Sequence, residues 1–186
     1  MYLDDVLVHS KTEEEHLRLI KKCFEIFKRY NFRLKLSMCH YFITHVKFLG
    51  HIISEEGIAT DPKEIQAIKQ WPELKSVQQL QQFLGLVNYH RDHVDGMAKI
   101  GQPLTDIQAN HLKDLDYATL WKSEQKLAFE NLKKAFTTTP VLALLDMDKP
   151  LFVTTHASGC PMGGLLEQLQ NGKGLVIAFM SKKFTT

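Results

Sequence analysis

The dipeptide Asn171-Gly172 constrains this chain more than any other two residues. It separates two apolar runs, 163–169 and 175–180, and both of its residues tolerate the positive φ that a tight type I′ hairpin turn demands. A further run at 151–155 reads as another strand, after Pro140 has closed the helix before it. That helix opens at Ser123 and carries Leu127, Ala128, Leu132, Ala135 and Phe136 at helical spacing. The C-terminal third is therefore a helix followed by strands, the last two paired.

Helix and strand signals also alternate upstream. Residues 1–10 read as a short strand, apolar except for Asp4-Asp5. Thr12 and Glu15 then form a capping box ahead of a helix whose Leu17, Ile20, Phe24 and Phe27 share one side, widened by Leu19, Cys23, Ile26 and Tyr30. One face of that helix is expected to be buried. Lys28-Arg29 suit its C-terminal dipole, and Asn31 suits a left-handed cap. Phe32, Leu34 and Leu36 alternate like a strand, and Val46 to Ile53 with the turn Glu55-Glu56-Gly57 reads as paired strands. Asp61-Pro62-Lys63-Glu64 starts a helix that Pro72 stops, and Ser76 with Gln79 starts another bearing Val77, Leu80, Phe83, Leu84 and Val87. Residues 101–122 are polar and loop-like apart from Trp121, and mark the expected domain boundary. The fold class is α+β.

Composition narrows the function classes. Lys and Arg total 23 against 21 Asp and Glu, so any nucleic-acid contact must come from local patches and not from net charge. No apolar run reaches the ~18 residues of a membrane span and the N-terminus carries no signal peptide, so the expected location is intracellular, cytoplasm or nucleus. Cys23, Cys39 and Cys160 are too few for a disulfide framework.

Five groups of residues could carry chemistry. Adjacent carboxylates Asp4 and Asp5 can share a hard divalent ion only where a strand turns, since alternation otherwise points them apart. Between 21 and 47, Lys21, Lys22, Lys28, Arg29, Arg33, Lys35 and Lys47 face a single acid, Glu25, with Phe24, Phe27, Tyr30, Phe32, Tyr41 and Phe42 interleaved. The cations suit phosphates. The aromatic rings suit base stacking or, because several lie on the helix stripe, core packing. His90 and His93 are spaced to share a helix face as a zinc pair, with no third ligand indicated; Cys39-His40 with His45 is a poorer set. Cys160 beside His156 lacks a group to orient a base and reads as a turn residue.

Taken in order, Tyr2-Leu3-Asp4-Asp5-Val6-Leu7-Val8, Phe48-Leu49-Gly50-His51-Ile52-Ile53, Phe83-Leu84-Gly85-Leu86-Val87-Asn88-Tyr89 with Arg91, Pro103-Leu104-Thr105, Phe129-Glu130-Asn131-Leu132-Lys133, Pro140-Val141-Leu142 and Thr154-Thr155-His156-Ala157-Ser158 resemble the pol polyprotein of gypsy-type LTR retrotransposons. The resemblance implies a reverse transcriptase palm remnant at 1–60 with a primer-grip-like hairpin. Thumb-like helices follow at 61–100, a connection at 101–122, and a partial RNase H-like mixed sheet at 123–186. It implies that Asp4 and Asp5 match the catalytic pair that binds Mg²⁺, with Tyr2 before them. It also implies that Phe48, Leu49 and Gly50 hold the primer terminus. Lys28, Arg29, Lys35 and Lys47 are the expected phosphate contacts, and the expected partner is an RNA/DNA primer–template duplex.

The sequence also departs from the family. The strand leading into the Asp-Asp tip and the upstream carboxylate are absent before Met1. Met38 stands where the family has a lysine before Cys39. His156 replaces the first RNase H aspartate, Pro161 replaces a glycine, and the chain stops at Thr186 before the next RNase H carboxylate. Imidazole is a poor substitute for a carboxylate at Mg²⁺. The expectation is a truncated, partly degenerate copy that binds no Mg²⁺ productively and is inactive as this chain alone. The alternative is a non-catalytic nucleic-acid-binding or subunit-like module, able to associate with an intact polymerase chain. A third reading is a functionless product made aggregation-prone by open strand edges at 1–10 and 175–186.

Overall fold

The computed structural model describes residues 4–109, 117–157 and 161–183. Helix α1 (Glu13–Arg29) begins as its sequence dictates. The Thr12 hydroxyl accepts from the Glu15 N–H at 3.2 Å, and the Glu15 carboxylate accepts from the Lys11 N–H, one residue earlier than a strict capping box. Asn31, at φ 57°, ends it, and the Phe32 N–H reaches back to the Phe27 carbonyl at 2.8 Å. The expected burial of one face does not occur. Only Ile20 is buried, while Leu17, Phe24, Ile26 and Tyr30 remain exposed.

Two expected strands are also missing, for one reason. A strand requires a ladder partner, and no described strand pairs with 4–10 or with 32–36. Residues 4–10 instead form a turn at Asp4, a single bridge at Asp5 and irregular backbone. Residues 32–45 are irregular around one 3₁₀ turn (Leu36–Met38), and their rings meet α1 edgewise, through Phe27–Phe32, Phe24–Tyr41 and His16–Phe42.

The chain then forms an antiparallel meander of β1 (Val46–Phe48), β2 (His51–Ser54) and β3 (Gly57–Thr60). Asp61 caps α2 (Pro62–Lys69) by accepting from the Lys63 N–H at 2.9 Å. Ser76 and Gln79 cap the start of α3 (Val77–Tyr89): the Ser76 hydroxyl accepts from the Gln79 N–H, and the Gln79 side chain accepts from the Lys75 N–H, one residue before the cap. A 3₁₀ turn (Arg91–His93) leads on to α4 (Met97–Ala109).

Helix α4 corrects the expected linker at 101–122. Pro103 and the polar residues suggested a loop, yet Met97, Ile100, Leu104 and Ile107 recur at helical spacing. A proline inside a helix costs ~3 kcal/mol, and burial of Leu104 and Ile107 in the core outweighs it here. Short α5 (Tyr117–Leu120) and α6 (Ser123–Thr137) follow. Lys122, not Ser123, occupies the cap of α6, and Leu127 is exposed while Phe129 turns inward. Helices α2, α3, α4 and α6 thus share one core around Ile68, Leu80, Phe83, Val87, Leu132 and Phe136. The described parts of the expected boundary, 101–109 and 117–122, contribute Leu104 and Ile107 to that core and pack Tyr117, Leu120 and Trp121 against it.

The second sheet contains β4 (Leu151–Ala157), β5 (Met162–Gln170) and β6 (Lys173–Lys182), antiparallel throughout, so the expected mixed sheet shows no parallel pair among the described strands. Asn171 and Gly172, at φ 52° and 75°, make the two-residue turn between Gln170 and Lys173 that the sequence predicts. The segment after α6 straps the two sheets together. Leu142 exchanges backbone bonds with Ile58 at 2.7 and 2.9 Å, and the Ala143 N–H donates to the Val176 carbonyl at 2.7 Å. The 175–182 edge is therefore partly covered. The edge strand β4 is the more open one, with Leu151, Phe152 and Val153 exposed.

Candidate nucleic-acid interface

The turn between β1 and β2 is tight and held from several sides. Phe48 and His51 face each other across the ladder, leaving a two-residue loop in which Leu49 and Gly50 both take positive φ, 49° and 72°. That is a type I′ geometry, comfortable for glycine and unusual for leucine. Four groups hold it. The Tyr89 hydroxyl donates to the Leu49 carbonyl at 2.8 Å. The Asp61 N–H donates to the Gly50 carbonyl at 2.9 Å. The rings of Tyr89 and His90 close on Gly50 so tightly that a β-carbon there would sit 3.3 Å from His90 Cε1. Behind the tip, the Lys47 ammonium bonds the Asp61 carboxylate at 3.0 Å.

Three imidazoles back this tip. The His51 ring lies 5.0 Å from that of His90 and 5.4 Å from that of His93, with Tyr89 stacked on it at 5.6 Å. His90 and His93 are 1% and 3% exposed. Burial, reinforced by the neighbouring His51 and His93, pushes the His90 pKa down to about 4. Burial also lowers His51, opposed by Asp92 and Glu64, and lowers His93, opposed by a hydrogen bond to the Pro140 carbonyl. Both ring nitrogens of His90 are without a partner among the described residues. The seat is thus built for neutral rings. His90 caps the end of α3 and His93 lies in the following 3₁₀ turn, so the two do not share the expected helix face; each packs instead against His51, and among the described residues no group of three or more His, Cys, Asp or Glu is arranged to hold a metal ion.

The remaining predicted site residues lie apart. Asp4 and Asp5 are exposed on irregular backbone, with no third carboxylate converging on them among the described residues. The donor set therefore does not fit a two-metal centre, which needs acidic oxygens from separate segments. Tyr2 and Cys160 lie outside the described residues. Lys28 and Arg29 are exposed at the end of α1, with Arg29 over the Tyr30 ring at 5.9 Å, and Lys35 is exposed before the 3₁₀ turn. Lys47 is engaged with Asp61, whose pKa is lowered by the Lys63 N–H and by Lys47 itself. His156 sits opposite Gly163, and its ring covers the space that a side chain at 163 would need.

Sequence reasoning missed Tyr89 and Arg91 as partners of distant segments. Tyr89 binds a carbonyl forty residues earlier, and the Arg91 guanidinium donates to the Ser181 carbonyl, whose own hydroxyl accepts from the Ala98 N–H at 2.8 Å. Their signal was the motif Asn88-Tyr89 with Arg91, which marks the position but not the contact.

Comparison with known proteins agrees with this architecture. Residues 1–53 match the reverse transcriptase (RNA-dependent DNA polymerase) family, and 121–186 match the RNase H-like domain found in reverse transcriptase. The Tf2-3 and Tf2-7 transposon polyproteins of Schizosaccharomyces pombe are each 34% identical over 90% of this chain, which spans 12% of their length. Among solved structures, the foamy viral protease-reverse transcriptase in complex with double-stranded DNA superposes with a TM-score of 0.75 at 25% identity. That match covers 95% of this chain and 30% of the viral one; the same viral enzyme with an RNA/DNA hybrid gives 0.73. No helix among the described residues is long and apolar enough to cross a membrane. The chain is thus similar to reverse transcriptase over 1–53, to the RNase H-like domain found in reverse transcriptase over 121–186, and over most of its length to a short stretch of transposon polyproteins.

Proposed function

We propose that this chain is the palm-end, thumb and RNase H-start segment of a gypsy-type retrotransposon polymerase, and that it grips a primer–template duplex without completing either metal centre by itself. The observation that carries this reading is the buttressed type I′ tip at Leu49-Gly50, next to a helical unit, in a chain superposable on a duplex-bound polymerase. Phe48, Leu49 and Gly50 approach the primer strand. Lys28, Arg29 and Lys35 neutralise phosphates, and Lys47 shapes the hairpin base through Asp61. Asp4 and Asp5 mark a vestigial pair, and His156 marks a lost RNase H carboxylate, so Mg²⁺ is not held productively by these residues.

Filter binding of an RNA/DNA primer–template duplex across a salt series tests this. Log affinity should fall linearly with log salt, by about 0.9 per phosphate contacted. No nucleotide should be incorporated when Mg²⁺ and deoxynucleotide triphosphates are added. Absence of salt-dependent binding, or Mg²⁺-dependent extension, overturns the reading. A second reading, a subunit-like module that docks on an intact polymerase, is favoured by the exposed Leu17, Phe24, Ile26 and Tyr30 of α1.

A further inference from the structure

The peptide between Leu49 and Gly50 lies outside the β1–β2 ladder, so the ladder does not decide which way it faces. In a planar trans peptide the carbonyl and the N–H point to opposite sides. The Tyr89 hydroxyl accepts no such ambiguity: by donating to the Leu49 carbonyl at 2.8 Å it turns that oxygen toward α3 and the Gly50 N–H away from it. Two residues on, Arg91 donates to the Ser181 carbonyl at the end of β6, and Ala98 donates to the Ser181 hydroxyl. One short corner therefore touches both the hairpin tip and the RNase H-like sheet.

We propose that Tyr89 and Arg91 form a positioning brace, which fixes the orientation of the Leu49–Gly50 peptide relative to the RNase H-like sheet so that the Gly50 N–H faces a nucleic-acid phosphate. The proposal rests on the reading that this tip contacts a primer–template duplex. Neither residue is a catalytic residue; both act through the backbone they hold. Tyr89 is 53% exposed, so Tyr89→Phe removes a hydroxyl from a half-exposed ring and leaves the core intact.

The test compares the wild type, Tyr89→Phe, Arg91→Lys and Arg91→Gln in the full chain. Thermal unfolding, amide exchange at Gly50 and duplex binding with hydroxyl-radical footprinting are measured on each. Tyr89→Phe should leave the unfolding midpoint nearly unchanged and accelerate or shift the Gly50 amide. It should also weaken duplex binding roughly threefold to tenfold, the worth of one hydrogen bond. Footprint protection near the primer terminus should fade first. Arg91→Gln should displace the protection near the terminus relative to that along the RNase H-like sheet, with partial rescue by Arg91→Lys. A Gly50 amide and a footprint that do not respond to Tyr89→Phe overturn the brace. A wild-type chain that binds no duplex overturns the proposed function instead, and the Gly50 amide then judges the brace alone.

Discussion

Acidification should unseat the Leu49–Gly50 tip through one residue, His90. Its imidazole is held at a pKa of about 4 in the fold against 6.5 in an unfolded chain, because it is buried beside His51 and His93 with no partner for either nitrogen among the described residues. A lowered folded pKa means the stabilisation is whole above the unfolded value and is lost as the pH falls toward the folded one. Linkage then gives a loss of about 2 kcal/mol between pH 7 and pH 5, approaching about 3 kcal/mol near pH 4. His51 and His93 are lowered in the same direction and add to it, while Asp92, Glu64 and the Pro140 carbonyl oppose them. Urea unfolding followed by the fluorescence of Trp71 and Trp121, which pack against the core, measures the effect at both pH values. In His90→Phe the ring stays apolar and cannot protonate, so most of that pH-dependent loss should vanish whatever the substitution does at pH 7. A His90→Phe chain that loses as much stability on acidification as the wild type would refute the argument.

Other perturbations follow from the same contacts. Gly50→Ala should lower stability by about 1 kcal/mol or more in urea unfolding, since the φ of 72° disfavours a side chain and the new carbon crowds His90. Gly163→Ala should destabilise because it strikes the His156 ring, and His156→Ala should relieve most of that loss in a double-mutant cycle. Phe83→Ala, at a fully buried position between Trp71 and Phe129, should cost about 3–5 kcal/mol by the same assay. Asp61→Ala removes the α2 cap and leaves Lys47 unpaired, which should cost about 1 kcal/mol by thermal or urea unfolding.

Local signals settled much of the architecture. Thr12, Asp61 and Ser76 cap helices where their side chains predict, and Asn171-Gly172 makes its turn, because a cap or a tight turn is decided by residues within four positions of one another. The α+β class followed from those elements, and the order of motifs pointed to the polymerase family. Tertiary structure decided what depends on distant partners. Among the described residues it left most of the α1 stripe exposed and paired no strand with segments 4–10 and 32–36. It made a helix of 97–109 despite Pro103, since the core shared with α6 outweighs propensity. It brought His51, His90 and His93 together, and joined Tyr89 to Leu49 and Arg91 to Ser181. A sequence can show that a hydroxyl, a ring or a carboxylate is present. Whether that group meets water, a backbone carbonyl or another ring depends on segments forty to ninety residues away, and only the packed fold supplies them.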